Sequence, residues 1–230
     1  CEVEDMKKYL AIFLCLAVVA FATVMFVGCN QTTTEDLISD ARYGIYDGQT
    51  EGFNATFVYG LREDPYKMDG ISNKKVEFGV VSVVFNSDFS EEVEINYTLT
   101  LGDETYSGTL EKSPYSNEYM ANIGKSCDDN STISLSITLN SEQPVTIEMQ
   151  NKNSTWNINF ERAKEIGLEA LKDDIAEIED KGESYEIYVK IVGNQSSNFG
   201  TYYWIVSVVS PSTRHNVTIS PTSEEILVKN

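Results

Sequence analysis

Apolar and polar residues alternate along most of the chain between residues 37 and 155. Strict alternation is the period of a β-strand with one buried face, and it appears at residues 53–59, 93–101, 133–139 and 145–149. Shorter or weaker versions occur at residues 106–110 and 119–123. Residues 76–85 are apolar in both alternating sets, which predicts a central strand covered on both faces. We therefore predict an antiparallel, immunoglobulin-like β-sandwich over residues 37–155.

The period changes near Trp156. Apolar residues from Ala163 to Ile178 recur at steps of three and four, which predicts one amphipathic helix. Asn159 precedes it as a candidate N-cap, and Gly182 follows it as a candidate C′ residue. Strand-like segments come next, at residues 185–192, 202–210, 216–220 and 225–228. Residues 156–230 are thus expected to form a smaller α+β domain, with one helix packed on an antiparallel sheet.

Residues 6–29 have the pattern of a secretory signal. Lys7 and Lys8 precede a long apolar run, and Gly28-Cys29 ends it in a way that resembles a bacterial lipobox. We expect residues 1–28 to be a signal peptide, of which 1–5 are a start-site extension before Met6. Cys29 is then the lipidated first residue of a tether over residues 29–36. A plain transmembrane helix is the alternative, because the run is about long enough to span a bilayer.

The C-terminal part resembles PepSY domains. The resemblance lies in residues 158–168 at the start of the predicted helix, residues 203–208 on a strand, and residues 217–226 near the end. Ser220 and Ser223 stand where the family usually has Asp and Gly. The resemblance implies a small α+β module of bacterial envelopes, often associated with peptidase propeptides and thought to restrain proteases.

A second resemblance concerns residues 42–71, which are similar to uncharacterised lipoproteins of Gram-positive bacteria. That similarity implies no activity. The lipobox resemblance indicates a protein held on the cell membrane and facing outside the cytoplasm.

The charge narrows the possible partners. Lys and Arg number 17 against 36 Asp and Glu, which gives a formal net charge of −19. Such a surface repels phosphate backbones and anionic lipid headgroups. We therefore expect no nucleic-acid partner, and a membrane contact made through the N-terminal lipid.

The residue inventory does not indicate an enzyme or a cofactor. His215 is the single histidine and falls in a predicted polar turn, and Cys127 is the one cysteine beyond the leader and Cys29. A lone histidine in a turn is interpreted as a solvated surface residue rather than a catalytic base, and one histidine with one cysteine cannot complete a tetrahedral zinc site of the usual ligands. The acid-rich stretches leave a carboxylate-dependent glycan hydrolase open as an alternative, although each is interpreted as solvated charge. They are Asp88/Glu91/Glu92, Asp128/Asp129 and Asp173/Asp174/Glu177.

The loop containing Asp128, Asp129 and Asn130 offers several oxygens and is a calcium candidate. It lacks the glycine and the terminal glutamate of an EF-hand loop. Tyr66 and Tyr115 are the candidates for an exposed binding surface, because both lie in polar loops next to proline.

Taken together, these patterns predict a non-catalytic, membrane-anchored envelope lipoprotein that binds an envelope protein, a peptide or a glycan. The alternative drawn from the PepSY resemblance is a regulator or inhibitor of an envelope protease.

Overall fold

The computed structural model of the chain describes residues 33–87, 89, 93–140, 142–193 and 199–230. Contacts divide the chain after Thr34, and Glu35–Asn230 form one compact unit with its own hydrophobic cores. The predicted signal peptide, its start-site extension and Cys29 lie outside the described residues.

The described part is mainly antiparallel β-structure, in a sheet that comes close to a barrel. The strands are β1 Ile38–Gln49, β2 Phe53–Glu63, β3 Lys75–Phe85, β4 Ile95–Leu101, β5 Glu104–Thr109, β6 Glu111–Lys112, β7 Tyr119–Asn122, β8 Ile133–Leu139, β9 Val145–Asn151, β10 Glu186–Gly193, β11 Tyr202–Val209, β12 Arg214–Ile219 and β13 Ile226–Lys229. The helices are α1 Thr34–Leu37, α2 Phe160–Ala170 and α3 Lys172–Asp180, with a 3₁₀ turn at Asn153–Thr155.

Strand β1 is the branch point of the sheet. One path runs β13-β12-β11-β10-β1-β2-β3-β7-β6, and a second leaves β1 through β9 to β8, β4 and β5. The first residues of β1 pair in parallel with β10, for example Ala41 with Val189, whereas Tyr46 and Asp47 pair with β9. The pairing of β1 with β9 is antiparallel, and so are the remaining pairings between described strands. Strands β10 and β9 therefore share one edge of β1 and diverge from each other along it.

One hydrophobic core, called the strand core, lies between β1, β2 and β3 on one side and β4, β8 and β9 on the other. Alternate residues of each strand point into it, as the sequence pattern predicts. Its fully buried members include Phe57, Tyr59, Val81, Leu99 and Leu135.

The helix core forms where α2 and α3 cover β10, β11, β12 and the start of β1. Trp204 is fully buried at its centre and donates from Nε1 to the carbonyl of Ile158 over 2.9 Å. Gly167 lets α2 approach the sheet closely, because a Cβ there would lie 2.4 Å from the Cβ of Val206. Ile38 and Ala41 of β1 belong to this core as well, so β1 contributes to both cores.

Several local predictions agree with the structure and others need correction. The Asn159 side chain accepts a hydrogen bond from the Arg162 amide over 2.9 Å, as an N-cap should. The predicted single helix is instead divided at Leu171, which is fully buried and leaves helical geometry at ψ 5°. His215 lies within β12 rather than in a turn. Strand β3 is buried on both faces over most of its length, with Ser82 and Val84 on one face and Val81 and Val83 on the other, whereas Val76 near its start is 37% exposed.

Candidate functional site

Four cationic side chains gather around one buried carboxylate on the face of the sheet opposite the helices. Asp40 is fully buried, and its Oδ2 lies 3.4 Å from Arg42 Nη2 and 3.5 Å from Lys190 Nζ. Arg62 is the cross-strand partner of Asp40, and the charge of Arg214 acts on Lys190. We call Arg42, Arg62, Lys190 and Arg214 the cation cluster.

Strand register explains why these residues meet. Asp40 pairs with Arg62 on β2 and with Tyr188 on β10, and side chains directly opposite each other project to the same face of a sheet. Lys190 follows Tyr188 by two residues on the same strand, so it shares that face. The parallel pairing of β1 with β10 is thus what brings distant segments of the chain together here.

Tyr66 lies at the centre of the cation cluster. Lys190 Nζ donates to its hydroxyl over 2.7 Å, and the guanidinium carbon of Arg62 is 5.2 Å from its ring centroid. Burial, followed by the charge of Asp40, raises the pKa of Tyr66 to about 12. The phenol is therefore neutral near pH 7. Its oxygen accepts a hydrogen bond from the Lys190 ammonium group without adding a negative charge to the site. The ring is 41% exposed, so it forms part of the surface.

Two of the four cations in the cluster lack an ion-pair partner among the described residues. Asp40 is the carboxylate that pairs with Arg42 and Lys190. Among the described residues, none brings a carboxylate within ion-pair distance of Arg62 or Arg214; Arg62 contacts aromatic rings, and Arg214 donates to a thioether sulfur. Burial lowers the pKa of Lys190 to about 8 although Asp40 opposes the shift. An added negative charge would stabilise this arrangement.

The loop over residues 64–74 holds Tyr66 in place and is itself tied down by buried carboxylates. Glu63 is 1% exposed and accepts a hydrogen bond from the Lys67 amide over 2.9 Å. Glu186 is fully buried and accepts one from the Gly70 amide over 2.9 Å. Hydrogen bonds between buried carboxylates and backbone amides are among the stronger ones in proteins. The loop is therefore a fixed wall of the site.

A groove of about 270 Å³ continues from the cation cluster across the same face. Arg42 and Arg62 line one end, and Glu118 lines the groove as well, beside Ser82. Its apolar floor consists of half-buried side chains from three neighbouring strands, Val58, Val80 and Met120.

The residues proposed from sequence as a binding surface lie apart from each other. Tyr66 is in the cation cluster, whereas Tyr115 is 96% exposed in the loop before β7 and its amide donates to Ser113 Oγ over 3.3 Å. A binding role for either tyrosine stays a prediction.

The calcium-candidate loop is hydrogen-bonded into the protein. The Asp129 carboxylate accepts a hydrogen bond from the Tyr59 hydroxyl, and the Asp129 carbonyl accepts one from the Tyr46 hydroxyl over 2.9 Å. No group of three or more His, Cys, Asp or Glu side chains suited to a metal ion occurs within the described ranges. The calcium hypothesis for Asp128, Asp129 and Asn130 stays a prediction. Two of the oxygens that could bind the ion, both of Asp129, already accept hydrogen bonds from tyrosine hydroxyls.

The two candidate nucleophile and base residues have other surroundings. Burial, followed by the charges of Asp129 and Asp128, raises the pKa of the Cys127 thiol to about 12, which keeps it protonated near pH 7. His215 Nδ1 lies 3.3 Å from Asp174, on the far side of the sheet from the cation cluster.

Sequence reasoning missed the basic members of the site. Arg42, Arg62, Lys190 and Arg214 are spread over 173 positions, from 42 to 214, and none stands in a basic run. What could have pointed to these residues is that Lys and Arg are few in this acidic chain, 17 against 36 Asp and Glu, and that these four lie in strand segments. Their convergence depends on the pairing of β1 with β10, which local patterns do not report.

Comparison of the chain with models of known protein families gave no match, and neither curated proteins nor solved structures yielded one. Within the described part of the chain, no helix has both the length and the apolar character needed to cross a membrane.

Proposed function

We propose that this protein is a non-catalytic binding module that recognises a carboxylate-bearing ligand at the cation cluster. The observation that carries the proposal is the state of Arg62: it is half-buried between two aromatic rings, and no carboxylate of a described residue lies within ion-pair distance of it, in a chain of net charge −19. A half-buried cation such as Arg62 costs free energy while it has no anionic partner. Binding of an anionic ligand would offset that cost.

The surroundings of Arg62 favour a carboxylate over a monatomic anion. Its guanidinium carbon is 5.2 Å from the Tyr66 ring centroid and 5.1 Å from that of Phe78. A guanidinium can donate two parallel hydrogen bonds to one carboxylate, a geometry that a monatomic anion does not match.

The sequence supports a cellular location and a domain organisation for this binding module. The lipobox resemblance at Gly28-Cys29 supports a lipid anchor that holds the module at the outer face of the cell membrane. The alternating strands support an immunoglobulin-like sandwich for residues 37–155, and the motifs in residues 158–226 support a PepSY-like module.

Calorimetric titration with a monocarboxylate peptide tests the proposal. The ligand is N-acetyl-Ala-Val-Ala, and the comparison ligand is the same peptide with a C-terminal amide. The protein is residues 35–230, which form one compact unit. We expect the acid to bind more tightly than the amide, and Arg62→Gln to abolish this difference. Lys172→Gln removes one exposed charge on α3 and serves as the control.

Equal binding of acid and amide, or an undiminished preference for the acid in Arg62→Gln, would contradict carboxylate recognition at this site. Thermal unfolding of each variant shows whether it is folded.

A further inference from the structure

The end of the groove opposite the arginines carries an unpaired acid. Glu118 is half-buried, and its Oε2 accepts a hydrogen bond from Ser82 Oγ over 3.1 Å. In the portion of the chain that the structure describes, no lysine or arginine lies within ion-pair distance of Glu118. The groove thus has two arginines at one end, Arg42 paired with Asp40 and Arg62 without an ion-pair partner among the described residues, and a carboxylate at the other end.

The strand register gives the distance between the two ends. Arg42 is opposite Gly60 on β2, and Ser82, which holds Glu118, is opposite Thr56. Four strand residues separate Gly60 from Thr56, which corresponds to about 13 Å along the sheet. An extended peptide advances about 3.3–3.6 Å per residue, so three to four residues span that distance.

The middle of the groove is apolar. Val58, Val80 and Met120 expose part of their side chains there. This floor suits small aliphatic side chains, while the two charged ends suit a ligand with an anionic and a cationic terminus.

We propose that the groove binds a short peptide of three to four residues with both termini free. The peptide carboxylate contacts Arg42 and Arg62, and its ammonium group contacts Glu118. The inference rests on the proposed carboxylate recognition and adds the second terminus and the length. A zwitterionic peptide has no net charge, so the overall charge of −19 does not repel it as it repels an anion.

Comparison of three ligands tests this assignment: Ala-Val-Ala with free termini, its N-acetyl form, and its C-terminal amide. Acetylation removes the ammonium charge and should weaken binding about two- to fivefold, as expected for a partly exposed ion pair. Glu118→Gln should weaken binding of the free peptide by a similar factor and leave binding of the acetylated peptide unchanged. Glu148→Gln, which changes an exposed acid on β9, is the matched control.

The outcomes separate the two proposals. If the free and acetylated peptides bind equally, and Arg62→Gln weakens both, the zwitterion assignment is wrong while carboxylate recognition stands. If the amide binds as well as the free peptide, carboxylate recognition is wrong. Ala-Val-Ala should also bind more tightly than Ala-Val-Ala-Val-Ala-Val, which is too long for the distance between the charges; equal affinities would contradict the assigned length.

Discussion

Lys190 links the charge of the cluster to stability and binding. Burial lowers the pKa of Lys190 from 10.5 to about 8. The negative charge of Asp40 raises this pKa, whereas the positive charges of Arg42 and Arg214 lower it further. The unfolded chain keeps this proton to higher pH, so between about pH 8 and 10 the unfolded state binds more protons and the folded state gains stability as pH rises. The raised pKa of Tyr66 acts in the opposite direction above pH 10.

We therefore expect the free energy of unfolding to rise more steeply from pH 8 to 9.5 in the native protein than in Lys190→Met, as measured by urea denaturation. Affinity for N-acetyl-Ala-Val-Ala should change in the other sense and fall above about pH 8, because the neutral amine no longer attracts a carboxylate. Identical pH slopes in protein and variant would show that Lys190 is not buried among cations in this way.

Gly60 tests the close approach of β1 and β2 beside the cluster. The pairing of the two strands shifts between Arg42 and Gly44, and a Cβ at Gly60 would lie 1.9 Å from the Ala41 carbonyl oxygen. Gly60→Ala should lower the free energy of unfolding by about 3 kcal/mol, at the upper end of overpacking effects. Gly52→Ala, where the nearest atom is 3.8 Å away, is the control. Equal thermal stability of both variants would contradict this packing.

At the scale of elements, the loop over residues 64–74 depends on Glu63. This carboxylate accepts hydrogen bonds from the backbone amides of Lys67 and Asn73, over 2.9 and 3.1 Å. Glu63→Ala should speed hydrogen exchange at both amides by about tenfold or more, since each loses a buried acceptor. Glu104→Ala changes an exposed acid and serves as the control. Unchanged exchange in Glu63→Ala would mean that another contact fixes the loop.

The elements differ in how well the sequence reports them. Phe53, Phe57 and Leu99 stand in clean alternation, and each is buried as that pattern predicts. The sequence pattern does not predict strand β1. The register shift after Arg42 interrupts the alternation of apolar and polar residues, and the glycines and aspartates of β1 are residue types typical of loops. Since β1 carries two members of the site, Asp40 and Arg42, missing this strand also meant missing the site.

At the scale of the whole molecule, β1 joins the two cores. It contributes Ile38 and Ala41 to the helix core and Tyr46 to the strand core. The sequence pattern indicates two modules meeting near Trp156, and that division stays a prediction. A parallel pairing between strands 149 positions apart, as between Ile38 and Ile187, leaves no local signature.

This connection predicts cooperative unfolding. Both tryptophans, Trp156 and Trp204, report on the helix core, while far-ultraviolet circular dichroism reports on all strands. We expect the two signals of residues 35–230 to give one coincident transition in urea, because loss of β1 removes part of each core. Two separate transitions would show that the cores are independent.

The central claim, that the cation cluster and its groove bind a carboxylate, is tested most directly by nuclear magnetic resonance. Residues 35–230 labelled with ¹⁵N are titrated with N-acetyl-Ala-Val-Ala while backbone and arginine Nε–H signals are recorded. We predict the largest shifts at the side chains of Arg42 and Arg62 and at the amides of Gly60 and Phe78. Shifts confined to the loop around Tyr115, or no shifts at all, would contradict the account.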